Sequence, residues 1–246
     1  MKRRDLFLAV LAIVIFWQLL AWLVSQPILP TPWAVLKAFW TELGDDLPQH
    51  FAASLWRVLA STLLAILTAA PAGLVMGQSK RLNTLFSPIV YLLYPIPKVV
   101  LLPIILLLLG IGNLSKIAII YIILFFQILV LVRDQAASLR PELIQSVRSL
   151  GAGRRALFQF VYLPASLPAI LTALRQSVGT AVAVLYVAEL FATRLGLGYY
   201  IFLNGSTLFN YPVMYAGIIA MSLLGLGLYF SVDWLERRLC PWQHID

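Results

Sequence analysis

The cluster Lys2-Arg3-Arg4-Asp5 is followed by an uncharged apolar run from Leu6 to Val24. Further apolar runs occupy 55–76, 88–109, 116–132, 165–190 and 212–235. A helix rises 1.5 Å per residue, so about 20 apolar residues cross the hydrocarbon core of a bilayer. Each run therefore predicts a membrane-spanning helix, and together they predict an all-α, polytopic chain with about six transmembrane helices. Lys98 interrupts the third run, and the fourth is short at its charge-free centre. The first run begins as a secretory signal does. A signal's apolar core is about 7–15 residues long and ends at a small-residue cleavage site. This run is longer and lacks such a site, so it predicts a retained first span over 6–25. The remaining spans fall within 55–235, and 1–246 reads as a single transmembrane domain without internal repeats.

Between the first two runs, Pro30-Thr31-Pro32 leads into Trp33-Ala-Val-Leu-Lys-Ala-Phe-Trp40. Proline suits the first position of a helix, where its missing N–H has no partner to lose. Tryptophan favours the membrane–water boundary. A short interfacial helix is expected there. Gly73-x-x-x-Gly77 and Gly225-Leu-Gly227 offer places for close helix packing.

Composition agrees with the pattern. The chain is 61% hydrophobic and 11% charged, with mean hydropathy +0.91. A soluble domain is about half apolar and about a quarter charged. These values exclude a disordered chain, a nucleic-acid-binding domain and a typical cytosolic enzyme, and leave an integral membrane protein.

The formal charge of +8 is not a nucleic-acid footprint, because Lys and Arg in membrane chains gather in cytoplasmic loops. With the N-terminus in the cytoplasm, twelve of the eighteen basic residues fall on that side. They are Lys2, Arg3, Arg4, Lys80, Arg81, Arg133, Arg140, Arg148, Arg154, Arg155, Arg237 and Arg238. The first outer loop instead carries Glu42, Asp45 and Asp46 beside Lys37. Both termini are thereby expected inside. The single cysteine, Cys240, has no partner for an internal disulfide.

Catalytic chemistry finds little footing. His50 and His244 fall on opposite sides in this topology and read as surface residues rather than metal ligands. The sequence has no phosphate-binding P-loop, no G-x-S-x-G and no His-Glu-x-x-His. A membrane-embedded enzyme would need His, Asp or Glu clustered at one depth. An ion-coupled secondary transporter or channel would need intramembrane carboxylates, and Glu189 is the one available, near the end of its span.

Lys98, Arg175 and Glu189 lie within or near predicted spans. A charge at the bilayer centre costs at least about 2.5–3.5 kcal/mol, so such residues face protein or water. Arg175 lies about 16 Å along the helix beyond Pro164 and Glu189 about 37 Å beyond it. Arg175 reads either as a partner at a subunit seam or as part of an anion pathway. Lys98 follows Pro95-Ile96-Pro97, so it either lines a kinked path or packs locally. Glu189 is expected to cap or pair near the outer end.

The informative segment is the inner loop from Arg133 to Tyr162. Loops of this length in compact proteins are usually functional. Pro141 suits the start of a short helix over Glu142–Leu150, and Gly151 suits its C-terminal end. Leu139, Leu143, Val147 and Leu150 form one apolar stripe at helical spacing. Spacing alone fits two readings: an amphipathic helix on anionic lipid, or a docking helix whose apolar edge enters a groove on a cytoplasmic partner.

Gln145-Ser146-Val147, three residues, Gly151, nine residues, then Val161-Tyr162-Leu163-Pro164 resembles the EAA motif of ABC-importer permeases. That motif reads EAA, three residues, G, nine residues, I, any residue, LP. Gly151, Leu163 and Pro164 agree in identity, whereas Gln-Ser-Val replaces the triplet and Val161 replaces Ile. Leu29-Pro30-Thr31-Pro32, Ser54-Leu55-Trp56-Arg57-Val58, Pro95-Ile96-Pro97-Lys98, Leu102-Pro103, Gly110-Ile111-Gly112, Ala188-Glu189 and Gly196-Leu197-Gly198-Tyr199 are similar, in order and spacing, to the aliphatic sulfonate/nitrate/taurine branch of those permeases.

The resemblance implies the type I ABC importer permease fold and a binding-protein-dependent inner-membrane permease subunit. It implies a translocation path for a small solute such as a sulfonate, taurine or nitrate. Residues 133–163 would be the cytoplasmic coupling loop, with Gln145, Ser146, Val147, Gly151, Val161, Leu163 and Pro164 as its motif. Lys98, Arg175 and Glu189 become candidates for the path or its gate. The implied partners are two copies of an ATP-binding subunit, a periplasmic or lipid-anchored substrate-binding protein, a second copy of the chain and the lipid bilayer. ATP and Mg would be bound in the ATPase subunit, with no cofactor or metal in this chain. The expected place is a bacterial inner membrane, with both termini cytoplasmic.

Overall fold

The computed structural model describes residues 3–191 and 193–243, so Lys2 and His244 lie outside the described residues. Its elements in chain order are α1 (Arg3–Val24), α2 (Pro32–Glu42), α3 (Leu47–Gln78), α4 (Lys80–Leu93), α5 (Leu102–Leu109), α6 (Asn113–Ala137), α7 (Pro141–Ser149), α8 (Arg154–Leu157), α9 (Leu163–Leu190), α10 (Leu197–Phe202) and α11 (Tyr211–Leu239). A 3-10 turn, Lys98–Leu101, leads into α5. π-turns at Phe158–Tyr162 and Leu203–Thr207 follow α8 and α10. No strand occurs among the described residues. Five helical stretches and one bent helix pair are long and apolar enough to cross a membrane, which makes the chain an all-α, multi-pass membrane protein.

The chain divides into two compact units. One comprises residues 1–54 and 189–224. Here α1 leaves most of its apolar side chains outward, as a helix facing lipid does. Trp17 on α1 donates its indole N–H to the Pro30 carbonyl at 3.1 Å and packs at a tilt against the Tyr215 ring. The short helix expected after Pro30 forms: Thr31 caps it through its hydroxyl, Pro32 sits in its first turn, and Val35 is fully buried.

The other unit comprises residues 55–188 and 225–246. Its core is the apolar side of α6, where Ile119, Ile120, Leu124, Ile128 and Val132 are fully buried. Helix α3 lies against α6 through Gly73 and Gly77. A Cβ on Gly77 would sit 2.5 Å from the Arg133 carbonyl oxygen, and one on Gly73 would sit 2.8 Å from that of Leu129. Small residues are what permit such an approach. The second glycine pair behaves differently: a Cβ on Gly225 meets only Val182 at 3.6 Å, and Gly227 has open space. The close packing expected of that pair is not made within the chain.

Two spans depart from the apolar pattern. The third is broken: α4 and the segment Lys98–Leu109 are bent by 78°. Pro95 and Pro97 lack the N–H groups a continuous helix would need there. The fifth begins earlier than 165, since helical backbone extends over Arg155–Leu190. Pro164 therefore lies inside the helix and does not open it. The π-turn just before it absorbs the missing donor, with Leu163 N–H bonded five residues back to Phe158.

Gly77→Ala should lower the apparent Tm in detergent, because overpacking costs about 1–3 kcal/mol. Gly227→Ala should leave it unchanged or raise it slightly, since alanine is the better helix former by about 1 kcal/mol. Equal melting of the two variants would remove the packing role given to Gly77.

Candidate functional site

The loop after α6 is built by its proline and glycine. Pro141 holds Arg140 extended (φ −61°, ψ 127°), which ends the preceding chain and starts α7. At the other end Gly151 takes φ +83° and donates its N–H to the Arg148 carbonyl at 2.9 Å. That conformation disfavours any residue with a Cβ. On α7, Gln145 and Ser146 are exposed, and the Ser146 hydroxyl bonds the Glu142 carbonyl at 2.8 Å.

The expected apolar stripe is split. Val147 is half-buried beside Ile144, whereas Leu143 and Leu150 point outward, 50% and 84% exposed. Val161 is buried, Leu163 is exposed and Pro164 is half-buried where the π-turn passes into α9. The motif residues thus occupy one continuous helix–turn–helix, with Leu143 and Leu150 of α7 and Leu163 left uncovered on its surface.

In the unit containing 1–54 and 189–224, three side chains gather the turn at 196–198. Glu189 is fully buried; Ser54 Oγ lies 2.8 and 2.9 Å from its two carboxylate oxygens, and the Gly198 N–H donates to it at 2.8 Å. Ser54 Oγ in turn accepts the Leu197 N–H at 2.8 Å. His50 Nδ1 lies 3.0 Å from Gly196 N and 2.9 Å from its carbonyl oxygen. In the tautomer with the proton on Nε2, it accepts the Gly196 N–H.

The reason is local. Helix α10 follows Gly196, which has φ +135° and no side chain to cap the first turn. The orphan N–H groups are met instead by residues from α3 and α9. Tyr200 donates its phenol to Glu42 at 2.7 Å. Burial first, then that carboxylate, pushes the Tyr200 phenol well above its ordinary pKa. His50, expected at the surface, is 7% exposed and lies beside Tyr199 and Tyr200. The correction follows from α3 starting at Leu47 rather than 55, which carries His50 inside.

Arg175 finds its partners within the chain. Its Nη1 lies 2.9 Å from Asp233 and 3.1 Å from Glu236, and its guanidinium lies over the Tyr229 ring. Thr172 donates to Glu236 Oε1 at 3.2 Å, and Arg237 pairs with Asp233 at 3.1 Å. Glu236 Oε2 accepts no aligned hydrogen bond, so its pairing with Arg175 is a charge contact. The sequence carried this signal, since Asp233 and Glu236 share a helix face at i, i+3. Lys98 bonds the carbonyls of the broken third span.

Two buried cations escaped the sequence reading. Arg57 donates to Asn113 Oδ1 at 2.8 Å, and Lys116 donates to the Gly112 carbonyl at 3.2 Å. Both are nearly or fully buried. Each stands near the edge of an apolar run, where a basic residue reads as one that reaches back to the interface. No group of three metal-binding side chains occurs among the described residues.

Ser54→Ala would strand the Leu197 N–H, at a cost of about 1–3 kcal/mol. A lower Tm is expected, with faster hydrogen exchange at the amides of 197 and 198 and no change along α6. Glu189→Gln, which keeps an acceptor, should be milder than Glu189→Ala. Wild-type exchange at those amides in Ser54→Ala would dismiss the clamp.

Residues 61–240 match the family described as the binding-protein-dependent transport system inner membrane component. The chain is 35% identical over 227 residues to the taurine transport system permease protein TauC of Escherichia coli K12, covering 90% of this chain and 82% of that one. It is 32% identical over 235 residues to the putative aliphatic sulfonates transport permease protein SsuC of the same organism, covering 94% and 89%. It is 30% identical over 235 residues to the formylaminopyrimidine transport permease protein ThiX of Halalkalibacterium halodurans, covering 95% and 93%.

Among solved structures, an inward-facing MetNI methionine ABC transporter matches the fold with a TM-score of 0.70 at 21% identity, over 78% of this chain and 95% of that one. A bacterial ABC transporter involved in the import of the acidic polysaccharide alginate matches with a TM-score of 0.58 at 19% identity, over 96% of each chain. By sequence and fold together, the chain belongs to the binding-protein-dependent transport system inner membrane components and is a multi-pass permease subunit of an ABC importer for a small solute.

Proposed function

We propose that this permease imports a small sulfonate-type anion, such as taurine or an alkanesulfonate, with nitrate as the further anion to test. It works as a homodimer above two ATP-binding subunits and beneath a periplasmic or lipid-anchored binding protein. Both termini face the cytoplasm, as the distribution of basic residues favours. The chain hydrolyses nothing itself; ATP and Mg belong to the ATPase subunits. The substrate class is supported by the names of the taurine and aliphatic sulfonates relatives. The formylaminopyrimidine relative favours a second reading, a nitrogen-ring compound.

The observation that carries the coupling role is the uncovered edge of α7, where Leu143 and Leu150 stand exposed beside Gly151. A groove on the ATPase accepts that edge, with Gln145, Ser146 and Val147 on the docking helix. Gly151 turns the chain, and Val161, Leu163 and Pro164 join the loop to the fifth span. ATP binding closes the paired ATPases, and the docked helices pass that movement to the spans. Glu189, with Ser54, holds the 196–198 turn as part of the outer gate. Arg175, neutralised by two carboxylates, braces the spans instead of contacting solute.

Three experiments test this reading. Gly151→Leu should abolish uptake and reduce recovery of the ATPase in pull-downs while membrane insertion stays intact. A side chain fits the open space there, but left-handed backbone costs about 1–2 kcal/mol. Gly151→Asn, which tolerates that conformation, should retain more activity; normal transport in Gly151→Leu would remove the coupling role. Leu143→Asp with Leu150→Asp should lose the ATPase from complexes that otherwise contain the two subunits in about equal amounts. A deletion strain should grow poorly on taurine, alkanesulfonates or nitrate as sole sulfur or nitrogen source, and unimpaired growth on all of them would remove the anion reading.

A further inference from the structure

The bend in the third span frees backbone carbonyls that its prolines cannot serve. In an unbroken helix the N–H of residue 97 would meet the Leu93 carbonyl; Pro97 has none. The Ile96 N–H reaches that oxygen only at 3.4 Å, and the Lys98 ammonium comes closer. Lys98 Nζ lies 3.0 Å from the Leu93 oxygen, 2.9 Å from that of Tyr94 and 3.3 Å from that of Ile96. An ammonium carries three N–H donors, so these carbonyls account for all of them. The same nitrogen lies 4.7 Å from the ring centroid of Phe126 on α6 and 5.7 Å from that of Tyr94. It therefore also ties the break to α6 through a cation–π contact.

We propose that Lys98 is a positioning residue for transport. Its ammonium serves the carbonyls of Leu93, Tyr94 and Ile96 that the break leaves without their helical partners, and so holds the 78° break in the third span. It also shapes the cavity of about 340 Å³ lined by Tyr94, Pro97, Ile123, Phe126 and Gln127. It does not hydrogen-bond solute, because its donors are engaged by the backbone. Broken backbone is tolerated at membrane depth only where its polar groups are met by protein or water. A compact point charge suits three converging oxygens, whereas arginine spreads its donors in a flat fork. The link to transport rests on the importer reading; the link between Lys98 and the bend does not.

The test is hydrogen exchange read by mass spectrometry on the full chain in lipid nanodiscs. Lys98→Met should speed exchange of the amides over 96–102 by at least about tenfold, with α6 unchanged. In a Cys240→Ala background, the Lys98→Cys thiolate displaces bromide from 2-bromoethylamine. A thioether then stands where lysine has a methylene, and slow exchange should return. Iodoacetamide, which leaves an uncharged amide, should not restore it. Wild-type exchange in Lys98→Met, or equal rescue by the uncharged adduct, would overturn the proposal.

In the assembled importer with radiolabelled taurine as probe, Lys98→Met should lower maximal uptake with KM unchanged. A rise in KM alone would assign Lys98 to solute binding and overturn the proposal as well. Failure of the unaltered importer to take up taurine counts against the substrate reading alone, because the exchange measurement needs no substrate.

Discussion

A peptide group in hydrocarbon has no water to bond, and the structure is organised around that constraint. Continuous helices meet it by themselves. An interruption of a helix must meet it with side chains or with an altered backbone ladder. At the break in the third span one ammonium serves the carbonyls of Leu93, Tyr94 and Ile96. At the start of α10 the orphaned groups are donors, so acceptors gather: Ser54 and Glu189 take the N–H groups of Leu197 and Gly198. Before Pro164 the backbone solves the problem alone by widening into a π-turn.

Charge follows the same logic. A buried ion is costly unless it is paired and hydrogen-bonded. Arg175 therefore lies against Asp233 and Glu236, and Arg57 against Asn113. These contacts give the charged residues work within the protein and weaken any reading of each as a solute ligand. Close packing sets a further limit. Helix α3 meets α6 at Gly73 and Gly77 because any side chain there would run into backbone, which fixes the helices that flank the broken span.

The loop carrying α7 obeys different rules, because it lies outside the candidate spans. Water can satisfy its polar groups there, so nothing within the chain requires Leu143 and Leu150 to be covered. Both leucines stand exposed, and Gly151 ends their helix with a positive φ.

Local sequence sufficed for about six apolar spans, for a short helix opening near Pro32, and for another between Pro141 and Gly151. Each is written in local periodicity, in proline and glycine placement, or in spacing along a few turns. The family could be read for the same reason, since its motif is a spacing of residues in one loop. The 78° break, the burial of His50 and the partners of Arg175 came from the folded chain. Folding also separates Gly73 and Gly77, which pack closely, from Gly225 and Gly227, which do not. Those outcomes depend on partners far away in sequence: His50 meets Gly196 across 146 residues, and Arg175 meets Asp233 across 58. Periodicity records which side of a helix is apolar. It does not record which distant donor or acceptor a buried polar group will meet.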